Sequence, residues 1–201
     1  MSMPDEMTIT CPACGNEQTF VMWSSVNVSL DSELKQKVLS GELVDFCCEK
    51  CDEKSRVLYP LLYHDMEQNL MIWLLPGDDP PHDASDGPSG LMSEVSEGYQ
   101  YRWVQSYNEL VEKIYIFDAG IDDRTFELFK SVLRKQWPDE VSDEDEILFC
   151  GADEEEGEPR IQIGIMSPAG YREVELQEDV YLRFADHAAK DLDDMFPLDT
   201  T

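Results

Sequence analysis

A chain of 201 residues is long for one small domain and suits two, and 42% hydrophobic content is enough for cores interrupted by solvated stretches. Its 44 acids and 15 lysines and arginines give a formal charge of -29, split as 12 acids and 5 bases in residues 1–75 and 32 acids and 10 bases in residues 76–201. A field of that sign repels phosphate backbones and anionic lipid, which argues against nucleic-acid or membrane-surface binding by the second half. It leaves solubility, or a basic protein partner, as the use of the charge.

In chain order, residues 1–6 have neither the positive patch nor the apolar run of a signal peptide. Residues 8–10 alternate as a strand does, a cysteine knuckle follows, and residues 19–28 read as a strand with Phe20, Met22, Val26 and Val28 marking its apolar positions. Asp31 is placed as a helix N-cap, Leu34, Val38 and Leu39 recur at helical spacing, and Gly41 is the stop. A strand at 43–46 leads to a second knuckle, and strands at 56–63 and 70–75 follow, joined through residues 64–69. Both apolar runs fall far short of the ~20 residues that a membrane helix needs. Residues 76–98 hold Pro76, Pro80, Pro81 and Pro88 among glycine, serine and aspartate, the composition of a flexible linker.

Beyond it, Tyr99, Tyr101 and Trp103 alternate as a strand. Ser106 and Glu109 form a capping box ahead of a helix carrying Leu110, Ile114 and Phe117, which Gly120 ends. Asp122 or Asp123 caps a second helix with Phe126, Phe129, Val132 or Leu133, and Trp137 on its stripe, closing a helical hairpin. An acidic run at 139–146 precedes strands at 147–150, 160–166 and 171–176. A last helix opens on Glu178 and Asp179, with Val180, Tyr181, Phe184, Ala188 and Leu192 as its expected buried side. The expected class is therefore α+β. Residues 1–75 form a zinc-ribbon-like antiparallel sheet with one inserted helix, 76–98 the linker, and 99–201 an acidic α+β domain.

The chemistry is concentrated in two CxxC pairs, Cys11/Cys14 and Cys48/Cys51. Each pair puts two thiolates on one tight turn, and two pairs complete a tetrahedron around a metal ion with metal–sulfur distances near ~2.3 Å. Gly15 suits the left-handed residue such a turn needs, and Asp52 stands at the equivalent place in the second. The 33 residues between Cys14 and Cys48 exceed the usual ribbon spacing, but closure entropy rises by only about 0.6 kcal/mol per doubling of a loop. Four sulfur ligands leave no open position for water or substrate, so a structural Zn²⁺ is expected. Iron suits the same donors, but nothing else in the chain suggests electron transfer. Six cysteines in two tight pairs and two singles, with no signal peptide, point to metal and a cytoplasmic compartment rather than a disulfide scaffold. Cys47 and Cys150 are expected as small core residues.

Other candidates are thinner. His64-Asp65 offers an oriented histidine and with it an alternative hydrolase or transferase site. It is expected in a turn, roughly 25–30 Å of extended chain beyond the second knuckle. His82 falls in the linker and His187 on the last helix. Acidic clusters at 139–146 and 153–158 lack the order of a calcium loop and read as solvated charge. Lys35, Lys37, Lys50, Lys54 and Arg56 offer a small basic face, but acids are interleaved throughout, which makes nucleic-acid contact the third reading. No phosphate-binding glycine loop, nucleophile elbow or HExxH motif is present, and no catalytic residue is assigned.

The run Cys11-Pro12-Ala13-Cys14-Gly15, then Ser25-Val26-Asn27, Leu39-Ser40-Gly41-Glu42-Leu43 and Phe46 ahead of Cys48, resembles the CpXC domain, as does Leu58-Tyr59-Pro60-Leu61-Leu62-Tyr63-His64-Asp65 before Leu70-Met71-Ile72. The likeness covers about residues 7–75. Asn108-Glu109-Leu110, Glu112-Lys113-Ile114 and Asp122-Asp123-Arg124 resemble the C-terminal part often attached in such proteins. The resemblance implies a mostly bacterial, metal-bearing domain without an assigned biochemical role, with Cys11, Cys14, Cys48 and Cys51 as the ligands. Glu49 and Asp52 depart from the proline and glycine of the family's second motif; the cysteines do not.

Overall fold

The computed structural model describes residues 1–77, 98–155 and 158–195, excepting the side chains of 155 and 189–195. The chain divides into two compact units, Met1–Val111 and Glu112–Thr201. Most of the expected linker, 78–97, lies outside the described residues.

In the first unit, β1 (Met3–Thr10) and β2 (Glu17–Asn27) form an antiparallel hairpin whose connection carries the first knuckle. Helix α1 (Glu33–Ser40) follows, then β3 (Asp45–Cys47) and β4 (Lys54–Arg56), a separate two-stranded ladder carrying the second knuckle. Strands β5 (Leu61–Asp65), β6 (Leu70–Leu74) and β7 (Gln100–Val104) complete a five-stranded sheet of order β1-β2-β5-β6-β7. The sheet is mixed, not antiparallel throughout as expected: β2 runs parallel to β5, and β6 parallel to β7. The chain allows this because 33 residues separate β2 from β5 and 25 separate β6 from β7, enough for the crossovers that parallel neighbours require. Along β5 and β6 burial alternates, with Leu61 and Tyr63 facing the core beside Leu74 and Ile72. Helix α1 buries Leu34 and Val38 and stops at Gly41, which takes the left-handed conformation at φ 82°.

Three further details differ from the sequence reading. The strand expected at 56–63 is two strands, β4 and β5, broken before Pro60, which has no N–H for a ladder. Asp31 does not cap α1; its carboxylate accepts from the Ser2 hydroxyl, and Ser32 holds the N-cap position without a side-chain bond. Strand β7, expected to open the second domain, belongs to the first sheet. Three residues further on, the Tyr107 hydroxyl donates to the Val38 carbonyl at 2.6 Å, so the first unit reaches past residue 98. Burial, chiefly, lifts the Tyr107 phenol above its ordinary range, which keeps it a donor.

Helix α2 (Tyr107–Asp118) spans the division between the units. Its capping box forms as expected: the Glu109 amide donates to Ser106 Oγ, and the Ser106 amide to the Glu109 carboxylate, each at 3.1 Å. Helix α3 (Asp123–Gln136) is capped by Asp122, whose side chain accepts from the Arg124 amide. Three antiparallel strands, β8 (Glu146–Glu155), β9 (Glu158–Ser167) and β10 (Gly170–Gln177), form a sheet in the order β10-β9-β8, and α4 (Glu178–Met195) closes the unit. Ile161, Ile163 and Ile165 alternate along β9 into a core with Phe126, Phe129, Phe149 and Tyr181. On α4, Tyr181 and Ala188 are buried as expected, but Val180 is exposed; the Leu192 side chain lies outside the described residues.

A buried ionic cluster ties α2, α3 and β8 together. Lys130 Nζ lies 2.7 Å from the Glu112 carboxylate, and Lys113 lies 2.9 Å from Glu127 and 3.3 Å from Asp123. Glu112 also accepts from the Phe149 amide at 2.7 Å. Burial raises the Glu112 pKa even though Lys130 pulls it down. Glu112→Ala should destabilise the second unit by about 3 kcal/mol or more, since it strands the Phe149 amide and removes one partner of a buried pair. Glu112→Gln keeps an acceptor for that amide and should lose less. Urea titration of the full chain, followed by a probe in the second unit, measures both.

Candidate metal centre

Each knuckle is a tight turn with the same hydrogen bonds. In the first, the Gly15 amide donates to the Cys11 carbonyl at 2.9 Å and the Cys11 amide to the Asn16 carbonyl at 2.8 Å. In the second, the Asp52 amide donates to the Cys48 carbonyl and the Cys48 amide to the Glu53 carbonyl, both at 2.9 Å. Gly15 and Asp52 are both left-handed, at φ 69° and 58°, as their positions in the two motifs led one to expect. The absence of glycine in the second motif therefore leaves its turn unchanged: aspartate tolerates the conformation.

The turns bring Cys11, Cys14, Cys48 and Cys51 together, with all four sulfurs within 4.8 Å of one another. Two approaches cross between knuckles: Cys11 Sγ to Cys51 Sγ is 3.7 Å, and Cys14 Sγ to Cys48 Sγ is 3.6 Å. A tetrahedron with metal–sulfur bonds of ~2.3 Å has edges of about 3.8 Å, so the spacing fits a four-coordinate ion. Cys11 and Cys48 are buried, in a small apolar cluster with Phe46 that Ile9, Phe20 and Val57 flank, while Cys51 is exposed. Burial opposes ionisation of Cys48, but the amides of Lys50 and Cys51, with the neighbouring thiols, outweigh it and bring the Cys48 pKa down to about 7. At Cys51 the Glu53 amide favours the thiolate, yet the three neighbouring thiols outweigh it and push the pKa up to about 12. Without a cation, one thiolate in the cluster thus discourages the next.

Gln18, which the sequence reading did not single out, joins the knuckles. Its side-chain amide donates to the Cys47 carbonyl and accepts from the Glu49 amide, each at 2.9 Å. No local pattern marks it, because its partners lie 29 and 31 residues away.

The remaining candidates are placed differently. Cys47 is exposed, not a core residue: along β3 the side chains alternate, with Phe46 inward and Cys47 outward. Cys150 is half-buried, 3.6 Å from the Tyr171 hydroxyl, and crosses close over Gly164, where a Cβ would lie 2.8 Å from its sulfur. His64 is in β5 rather than a turn, and strand alternation sends it to the face opposite Asp65. Its ring nitrogens meet Asn27 Nδ2 at 3.3 Å and the Tyr99 hydroxyl at 3.1 Å. Burial, with the N-terminal charge, lowers its pKa. The Asp65 carboxylate accepts instead from the Glu67 and Gln68 amides. Asp65 therefore does not orient His64, and a groove of about 570 Å³ along β3 and β4 is bordered by neither residue. Of the five cations of the small basic face, Lys35, Lys37 and Arg56 each have a carboxylate within 4 Å. His82 lies outside the described residues; His187 is exposed on α4, with Nδ1 2.7 Å from the Arg183 carbonyl. In the acidic run at 139–146, Asp145 is buried and accepts from the Ser142 amide, so that part is a structured turn rather than solvated charge.

Fold and site define an α+β protein with a four-cysteine cluster able to hold a metal ion. The family model described as CpXC protein matches residues 9–130, more than half of the chain, and the protein belongs to the CpXC family. No curated protein and no solved structure matches it. Among the described residues, no helix is long and apolar enough to cross a membrane.

A Cβ at Gly15 would meet no atom within 4 Å, so substitution there is penalised by backbone conformation alone. Gly15→Ala should destabilise the first unit by about 1 kcal/mol, and Gly15→Asn by less, because asparagine enters the left-handed region more readily. Chemical denaturation of the metal-loaded chain gives the order.

Proposed function

We propose that this protein is a zinc-binding, non-catalytic adapter in which Cys11, Cys14, Cys48 and Cys51 hold one structural Zn²⁺. The observation that carries the reading is the closed set of four sulfurs at tetrahedral spacing. When bound, the ion supplies a rigid four-way cross-link. Four thiolates overcompensate its charge and fill its coordination shell, leaving it neither Lewis acidity nor an open position for water. Iron accepts the same donors, so the metal is to be identified directly. The free state of all six cysteines agrees with a reducing, cytoplasmic setting.

The full-length protein, purified without chelator, should contain one zinc per chain by elemental analysis and lack the visible absorption of an iron–thiolate centre. Substoichiometric metal that does not rise when zinc is supplied would sink the reading. Cys48→Ser, which alters a buried ligand, should abolish the thermal transition of the first unit.

The partner of the adapter is a basic protein surface. Residues 76–201 supply the complementary charge, with 32 acids against 10 bases, and the described acids around β8 and β10 are largely exposed. Long-range attraction of this kind is screened as the Debye length falls from about 10 Å at 0.1 M salt to about 3 Å at 1 M. Capture from native cytosol on the full-length protein should retain a basic protein at 0.1 M salt and release it at 1 M. Retention indifferent to salt, or nothing beyond background, overturns this part of the proposal.

A further inference from the structure

We propose that Gln18 is the positioning residue of the four-cysteine site, gripping the second knuckle on both sides of Cys48 and setting the two CxxC pairs at ligand spacing before a metal ion arrives. This rests on the reading of those cysteines as metal ligands. Gln18 lies in β2, four residues after Cys14, opposite Ile9 of β1. Its Nε2 donates to the Cys47 carbonyl and its Oε1 accepts from the Glu49 amide, both at 2.9 Å. A primary amide offers a donor and an acceptor side by side, as a peptide group does, so Gln18 pairs with the segment around Cys48 as an adjoining strand would. The apolar cluster of Cys11, Cys48 and Phe46 also joins the two halves, but apolar contact is non-directional and does not fix one residue opposite another. The two hydrogen bonds do. Holding Cys48 opposite Cys14 in advance removes ordering that metal entry would otherwise have to supply, and this raises affinity. The neutral amide is the right chemistry here: a carboxylate would lose the donor to Cys47 and bring negative charge toward four thiolates.

The test uses full-length Gln18→Met, which matches the length without hydrogen bonds, and Gln18→Glu, which keeps only the acceptor. Zinc affinity is measured by competition with a chromophoric chelator, Co²⁺ absorption reports the ligand set, and hydrogen exchange follows the Glu49 amide in the metal-free protein. Expected are an unchanged four-thiolate Co²⁺ spectrum, zinc affinity lowered about ten-fold or more in both variants, and Glu49 protection present in the metal-free wild type but lost in Gln18→Met. If Gln18→Met does not fold, Gln18→Glu and the wild-type Glu49 amide decide. Zinc affinities within two-fold of wild type, or an unprotected Glu49 amide in the metal-free wild type, overturn the role of Gln18 while the metal reading stands. A wild type that binds no zinc overturns the metal reading itself, and this inference with it.

Discussion

Four sulfurs within 4.8 Å of one another set the constraint on which the first unit depends. Two thiolates 3.7 Å apart repel by about 4.5 kcal/mol at an effective dielectric of 20, so the ionised cluster is unstable by itself. The opposed shifts of Cys48 and Cys51 express this: one thiol in the group ionises readily and another is held protonated. A dication with tetrahedral preference converts the repulsion into attraction at the same distances. The knuckle turns, with their left-handed Gly15 and Asp52, present the sulfurs; backbone geometry, not side-chain adaptation, builds the site.

That constraint reaches the sheet through the chain between the two CxxC pairs. The segment from Cys14 to Cys48 contains β2, α1 and β3, and the crossover that lays β5 parallel to β2 runs past the second knuckle. Cross-linking the ends of a loop of this length removes roughly 4 kcal/mol of unfolded-chain entropy in the chain-entropy model. For a unit whose β1 is exposed along nearly all its length, this is a large fraction of ordinary domain stability. The metal in this reading does the work that a larger apolar core does elsewhere.

What the sequence disclosed was local. The CxxC pairs, the left-handed positions, the Ser106–Glu109 box, the Gly41 stop and the alternation of β9 are each set by neighbours within about four residues, and each is present in the structure. What it hid was pairing at a distance. The junction of β6 with β7 spans 25 intervening residues, and the reach of Gln18 to Cys47 and Glu49 spans 29 and 31, so no periodicity records them. Cys47 was misplaced for a related reason. Its apolar character suggested a core, but burial in a three-residue strand is decided by which neighbour faces inward, and Phe46 takes that place. His64 and Asp65 looked like a pair because they are adjacent in sequence; in a strand, adjacency is what separates side chains.

The second unit meets the opposite problem, an excess of one sign of charge with no metal cluster among its described residues. It brings some of its few cations inside: Lys113 and Lys130 are largely withdrawn from water and each is shared between carboxylates. Buried pairs of this kind add little net stability against an apolar alternative, but they are selective, because removing one partner leaves a charge without compensation. Glu112 adds a geometric task, since its carboxylate holds the Phe149 amide beside the bulge between Phe149 and Gly151, where the β8–β9 ladder shifts register. The lysines enter with carboxylates that neutralise them, Lys113 with Asp123 and Lys130 with Glu112, so the unit's net charge is untouched and the pairs act on the packing of α2 against α3.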